Sequence, residues 1–184
     1  MIANIVIGIC WVAFLAAWAV LAMFFGVSGR RNSSVGARGI RLLLLVVIFI
    51  AIQYGVRMPL RPLAGVGGNL ATAGAIICVA GVAFAIWARV TLGKNWGMPM
   101  TLHENPELVT SGPYRYVRHP IYTGLSAMLI GTSLAYPLAA LPCALMIAYS
   151  VVSALREERD MEKQFPEAYP EYKKRSKMLV PFLL

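Results

Sequence analysis

The first run of the chain, roughly 3–25, spans about 23 residues without a single charge. A helix rises about 1.5 Å per residue, so ~20 apolar residues cross the ~30 Å hydrocarbon layer of a bilayer. Four further apolar runs follow, at roughly 42–58, 69–92, 120–135 and 138–155. In lipid the backbone must satisfy its own hydrogen bonds, so each run is expected to be helical. Composition agrees: 59% of residues are hydrophobic and the mean hydropathy is +0.67, against the roughly half-apolar make-up of a soluble domain. The expected fold class is an all-α integral membrane protein with five transmembrane helices, a C-terminal helical hairpin and a cytoplasmic tail. No repeat or low-complexity linker divides it, so residues 1–184 are expected to form a single membrane domain.

Within that plan, Tyr136-Pro137 leaves room only for a tight turn between the fourth and fifth runs. The fourth run, at about 16 residues, is short for a full crossing and is expected to tilt little or to sit partly under protein cover. Gly74 and Gly81 stand seven apart on the third run with Cys78 between them, and Gly124 and Gly131 repeat the spacing on the fourth. Such stripes of small residues let helices approach closely.

The net charge of +9 would point to nucleic acid in a soluble protein. Here the basic residues fall between and after the apolar runs. With five spans, one side collects fifteen Lys and Arg and the other only Arg57 and Arg61. The positive-inside rule then puts the C-terminus and the loops after runs one and three in the cytoplasm, and the N-terminus outside, in a multi-pass cell-membrane protein. No nucleic-acid surface is expected. The first run lacks a basic start and is too long for the core of a signal peptide, so no cleavable signal is expected. Cys10, Cys78 and Cys143 lie inside apolar runs with no metal-ligand spacing, and they read as small buried residues.

The polar chemistry gathers in LVTSGPYRYVRHPIYTG, residues 108–124. Gly112-Pro113 signals a turn. Pro120 suits the first position of a helix, and it holds His119 extended at the helix mouth. Unpaired backbone donors and a partial positive charge gather at such a mouth, so a carboxylate or phosphate would be welcome beside Arg115 and Arg118. The plainer reading is an interfacial belt of basic and aromatic residues, and Tyr122 alone reads that way too. Glu157 and Glu158 follow directly on the fifth run, where a carboxylate is costly unless paired or wetted. For Glu158 the expected partner is Arg156 or Arg159. Glu157 is the sharper candidate for a ligand acceptor. Phe165, Tyr169 and Tyr172, four and three apart, fall on one helical face. Lys173, Lys174, Arg175 and Lys177 read as attraction to anionic lipid. His103, Glu104 and Glu107 gain no catalytic role from their chemistry alone.

LGKNWG, the 108–124 segment, and REERDMEKQFPEAYPEYKKR followed by LVP together resemble the isoprenylcysteine carboxyl methyltransferase family of integral membrane methyltransferases. The resemblance covers about the last half of the chain. It implies S-adenosyl-L-methionine as methyl donor, bound on the cytosolic side under the C-terminal hairpin and tail, and a lipophilic acceptor entering from the bilayer. It places cofactor contacts on Pro106, Glu107, Leu108, Val109, Tyr114, His119, Pro120, Ile121, Tyr122 and Glu157. Arg118, His119 and Glu157 are the residues on which the chemistry would fall. One position departs from the pattern. The family's arginine four residues before the cofactor glutamate, associated with the substrate carboxylate, is Ser153 here. Ser153 and Arg156 are the candidate acceptor contacts. A prenylcysteine carboxylate loses its obvious partner, and phospholipid amines or thiols become alternative acceptors. An NADPH-dependent sterol-type reductase shares a similar C-terminal pattern, but the short hairpin leaves less room for a dinucleotide. A non-enzymatic scaffold or transporter subunit is the third reading, disfavoured because no charge lies in the middle of any run.

Overall fold

The computed structural model describes residues 2–25, 68–96 and 107–180. The second apolar run, 42–58, lies outside the described residues, as does Pro106. The described residues form five α-helices and no named strand: α1 (Ile2–Phe25), α2 (Asn69–Leu92), α3 (Pro120–Ala135), α4 (Ala140–Gln164) and α5 (Ala168–Arg175). Three described helices are long and apolar enough to cross a membrane, covering Ile2–Leu21, Asn69–Leu92 and Pro137–Gln164. The fourth run is a 16-residue helix, about 24 Å long at the usual rise.

That short helix is held by protein rather than by lipid alone. Two glycine pairs set its contact with α2. A Cβ built on Gly124 would fall 2.6 Å from the Gly81 carbonyl oxygen and 2.8 Å from the Ala85 Cβ. One on Gly81 would fall 2.7 Å from the Gly124 oxygen. Two turns away Gly74 and Gly131 meet in the same reciprocal way. Because Gly74 pairs with Gly131 and Gly81 with Gly124, the two helices run antiparallel. The stripes legible in the sequence are thus each other's partners. Hydrophobic burial does not drive helix association within lipid, so close van der Waals contact of this kind has to hold the pair.

α2 is the centre of the bundle. Ile7, Cys10 and Trp11 of α1 pack with Ala71, Ala75, Cys78 and Val82 of α2 and with Met128 and Leu129 of α3 in one core. The Trp11 indole N–H donates to the Thr132 hydroxyl at 3.1 Å, and that hydroxyl donates to the Met128 carbonyl at 2.8 Å. Both polar groups are thereby satisfied where no water reaches.

The turn between α3 and α4 is tight, as expected: Tyr136 leads into a single 3-10 turn, Pro137–Ala139. The end of the fifth run is different. The sequence placed its end near Leu155, with Glu157 and Glu158 opening a tail. Instead α4 continues unbroken to Gln164. Its 25 residues span about 37 Å, more than the hydrocarbon layer, and nothing in Arg156–Gln164 breaks a helix. The apolar part still ends at Leu155, and the last turns project beyond it. A second correction concerns Phe165. It is the C-cap of α4, outside α5, so it does not share a helical face with Tyr169 and Tyr172.

Replacing Gly81 or Gly124 with Val is expected to force α2 and α3 apart. The loss should be about 1–3 kcal/mol for each, the usual cost of overpacking. Thermal unfolding in detergent, with the exposed Ala80→Val as control, measures it.

Candidate functional site

The site forms where the mouth of α3 meets the projecting end of α4. His119 caps α3 with φ −123° and ψ 61°, out of the helical region as the following Pro120 demands. Before it, Gly112–Arg115 makes a single 3-10 turn, entered through Gly112 at φ 58°, a left-handed conformation that suits glycine. The Tyr114 side chain is buried, and its carbonyl accepts a hydrogen bond from the Tyr172 hydroxyl at 2.6 Å.

The C-terminal segment then folds back over this mouth. Val117 and Lys177 form a parallel bridge. Arg118 N–H donates to the Lys177 carbonyl at 2.8 Å, His119 N–H to the Met178 carbonyl at 3.1 Å, and Lys177 N–H to the Tyr116 carbonyl at 3.1 Å. The Thr123 hydroxyl reaches the Leu179 carbonyl at 2.5 Å. On this side the helix mouth is met by the protein's own carbonyls, a feature that the sequence did not reveal.

Tyr122 and Glu157, 35 residues apart, come together: the phenol donates to Glu157 Oε1 at 2.5 Å. His119 lies between the two glutamates. Its Nδ1 is 3.4 Å from Glu157 Oε2 and its Nε2 is 3.6 Å from Glu158 Oε1. The imidazole is 7% exposed, and its Nε2 makes no hydrogen bond among the described residues. Burial disfavours the imidazolium, but the Glu157 and Glu158 carboxylates on either side outweigh it, so the His119 pKa is raised.

Glu158 departs furthest from expectation. Its partners are not Arg156 or Arg159, both exposed. Arg118 Nε donates to Glu158 Oε1 at 2.6 Å, and Lys173 Nζ lies 3.0 Å from Oε2. Burial alone would raise the pKa of this carboxyl, but His119, Arg118 and Lys173 pull it down to about 2. Arg118 also donates to the Ser176 carbonyl at 2.5 Å, and Lys173 to Glu162 at 2.8 Å. One carboxylate therefore ties together α4, the segment before α3 and α5. Lys173, expected to meet lipid, is spent on this clamp.

The remaining candidates fall nearby or apart. Ser153 sits one turn before Glu157 on α4, beside the Tyr122 hydroxyl, whereas Arg156 points outward. Glu107 is exposed and faces Asn95 at a long 3.5 Å. Leu108 and Val109 are half-buried, Pro120 is buried, and Ile121 is half-buried. Arg89 proves to be an interior residue in the last turn of α2. It donates to the Gly93 carbonyl at 3.0 Å and stacks 4.4 Å from the Trp96 ring centroid, which fixes the LGKNW turn.

Among the described residues, helices long and apolar enough to cross a membrane, with a polar cluster at the mouth of α3, define the class: a membrane protein. The family follows from comparison with known proteins. The phospholipid methyltransferase family model matches residues 70–168, more than half of the chain. The chain belongs to this family, which is itself part of the wider integral membrane methyltransferase family of the isoprenylcysteine carboxyl methyltransferases. Comparison with individually curated proteins gives no match. The match spans α2, α3 and α4 and ends at the start of α5. Family membership makes the protein a membrane methyltransferase and implies a methyl donor, typically S-adenosylmethionine.

The clamp has a predicted pH window. The stability from Glu158 is present above pH 4.5 and lost as pH falls toward about 2. The stability from His119 is full below pH 6.5 and lost as pH rises through its raised folded-state value. Thermal stability in detergent should therefore peak between pH 4.5 and 6.5. Glu158→Gln should cost about 3 kcal/mol at neutral pH, as expected for breaking a buried ion pair, and should flatten the acid limb.

Proposed function

We propose that the protein transfers a methyl group from S-adenosylmethionine to a lipophilic acceptor, at the cytoplasmic end of the α3–α4 pair. The observation that carries this reading is the convergence of Tyr122, His119 and Glu157, from distant parts of the chain, into one cluster. The donor set suits an amino-acid nucleoside. Glu157 offers carboxylate oxygens for ribose or adenine donors. The buried His119 Nε2 makes no hydrogen bond among the described residues, so it is open to a ligand's acceptor. Leu108 and Val109, half-buried in the preceding loop, offer an apolar wall. Tyr114, Pro120, Ile121 and, with the loop before it, Glu107 complete the proposed donor site.

When bound, the donor supplies an electrophilic methyl on a sulfonium. The chain's own tasks are orientation and exclusion of water. Tyr122 fixes the Glu157 carboxylate, Glu158 fixes Arg118, and the tail held by Glu158 covers the mouth. Methyl transfer from a sulfonium calls for no nucleophilic residue, so alignment in this cluster is the protein's main contribution.

The acceptor is read from charge. An isoprenylcysteine carboxylate needs a cation beside it. The position where the family carries an arginine holds Ser153, Arg118 is committed to Glu158 and Ser176, and Arg156 is exposed away from the cluster. These facts favour a phospholipid amine or a thiol over the isoprenylcysteine carboxylate. Membership in a methyltransferase family removes most of the support for a sterol-type reductase.

His119→Ala and Glu157→Ala are expected to stay folded and to weaken S-adenosylhomocysteine binding at least tenfold by calorimetry. Unchanged affinity in both variants would overturn the site. In the wild type, labelled methyl should pass from S-adenosylmethionine into lipid extract in preference to a prenylcysteine analogue.

A further inference from the structure

On α4 the line that holds two positions of the family motif, Ser153 and Glu157, runs on to a third residue that the motif does not use. Tyr149, Ser153 and Glu157 recur every four residues, so they form one line along the helix. The line spans about 12 Å. It starts among exposed apolar side chains: Leu141, Leu145, Val152 and Leu155. Tyr149 is itself 54% exposed. Ser153 is half-buried, and the Glu157 side chain is 23% exposed. Exposure thus falls along the line, from the bilayer surface into the site.

Across from it stands Tyr122 of α3. Its hydroxyl bonds Glu157 and lies beside Ser153. Two hydroxyls and one carboxylate therefore meet between α3 and α4, and Tyr149 stands one turn before Ser153 on the same helical line. Tyr149 lies six residues, about 9 Å, inside the apolar end of α4 at Leu155. A tyrosine of the interfacial belt sits at the headgroup level, with its hydroxyl in contact with water. A hydroxyl on a lipid-facing surface deeper than that costs free energy unless something bonds it.

We infer that Tyr149, Ser153 and Glu157, faced by Tyr122, form the acceptor's track from the bilayer to the site, and that Tyr149 is an acceptor-binding residue. This rests on the methyl-transfer reading and deepens it. Hydroxyl and carboxylate groups, with His119 already flanked by Glu157 and Glu158, select a headgroup that is protic and uncharged or cationic. They select against a carboxylate. The apolar flanks from Leu141 to Leu155 suit an acyl or alkyl chain lying along α4.

The test uses the full-length protein in detergent micelles with three probes: phosphatidylethanolamine, dodecanethiol and an isoprenylcysteine analogue. The wild type should methylate at least one of the first two in preference to the third. Tyr149→Phe keeps the ring and removes only the hydroxyl. It should raise the KM for the preferred probe at least fivefold, with kcat and S-adenosylhomocysteine affinity unchanged. Ile9→Ala, at an exposed apolar residue of α1 outside the track, should leave all three constants as they are. Equal constants in wild type and Tyr149→Phe, with S-adenosylhomocysteine binding intact, overturn the track alone. A wild type that methylates only the carboxylate probe, or none, overturns it too. No S-adenosylhomocysteine binding by the wild type overturns the track together with the methyl-transfer reading.

Discussion

The architecture depends on bare backbone meeting bare backbone between α2 and α3. A 16-residue helix is too short to be held by the bilayer's thickness alone. The reciprocal glycine pairs fix it in depth and direction against the longer α2. That contact decides where the first turn of α3 falls, and therefore where His119 and Tyr122 can be. Bulk at any of the four glycines would move both residues relative to α4.

The second constraint is the buried charge at the end of α4. Glu158 binds Arg118 and Lys173, from segments on either side of it in the chain, and lies close to His119. Removing a carboxylate from water is expensive, and only several well-placed donors offset it. Here the donors come from the loop that leads into α3 and from α5, so the satisfied carboxylate also closes the tail over the helix mouth. Glu157, one residue earlier, points to Tyr122 instead. Two adjacent glutamates thus divide the work: one gathers Arg118 and Lys173, and the other holds Tyr122 beside His119.

Much of this was legible in the sequence, for reasons that are local. The glycine spacing on the third and fourth runs, the Pro120 helix start, the tight Tyr136-Pro137 turn and the convergence of Tyr122 with Glu157 all follow from short-range pattern or from the family resemblance. What escaped was non-local. The partners of Glu158 lie 40 and 15 residues away in sequence, and nothing in the adjacent arginines signals that they would be passed over. The continuation of α4 past Leu155 was hidden because the change from apolar to charged residues looks like an ending, although charged residues propagate a helix well. The tail's pairing with residues 116–118 depends on backbone groups, which carry no side-chain signature. Tyr149 could have been found, because its spacing of four from Ser153 and Glu157 is visible once the fifth run is read as a continuous helix.

That continuity has a mechanical consequence. α4 is one stiff rod with its first turns in hydrocarbon and its last turns holding both glutamates. A helix whose apolar part does not match the local hydrocarbon thickness accommodates by tilting or by deforming the bilayer around it. Any lean of α4 swings Glu157 and Glu158 against the mouth of α3, which the glycine contact keeps fixed to α2. The polar cluster therefore sits at the end of a lever whose other arm is immersed in lipid, and the thickness of the surrounding bilayer becomes one of the forces that set its geometry.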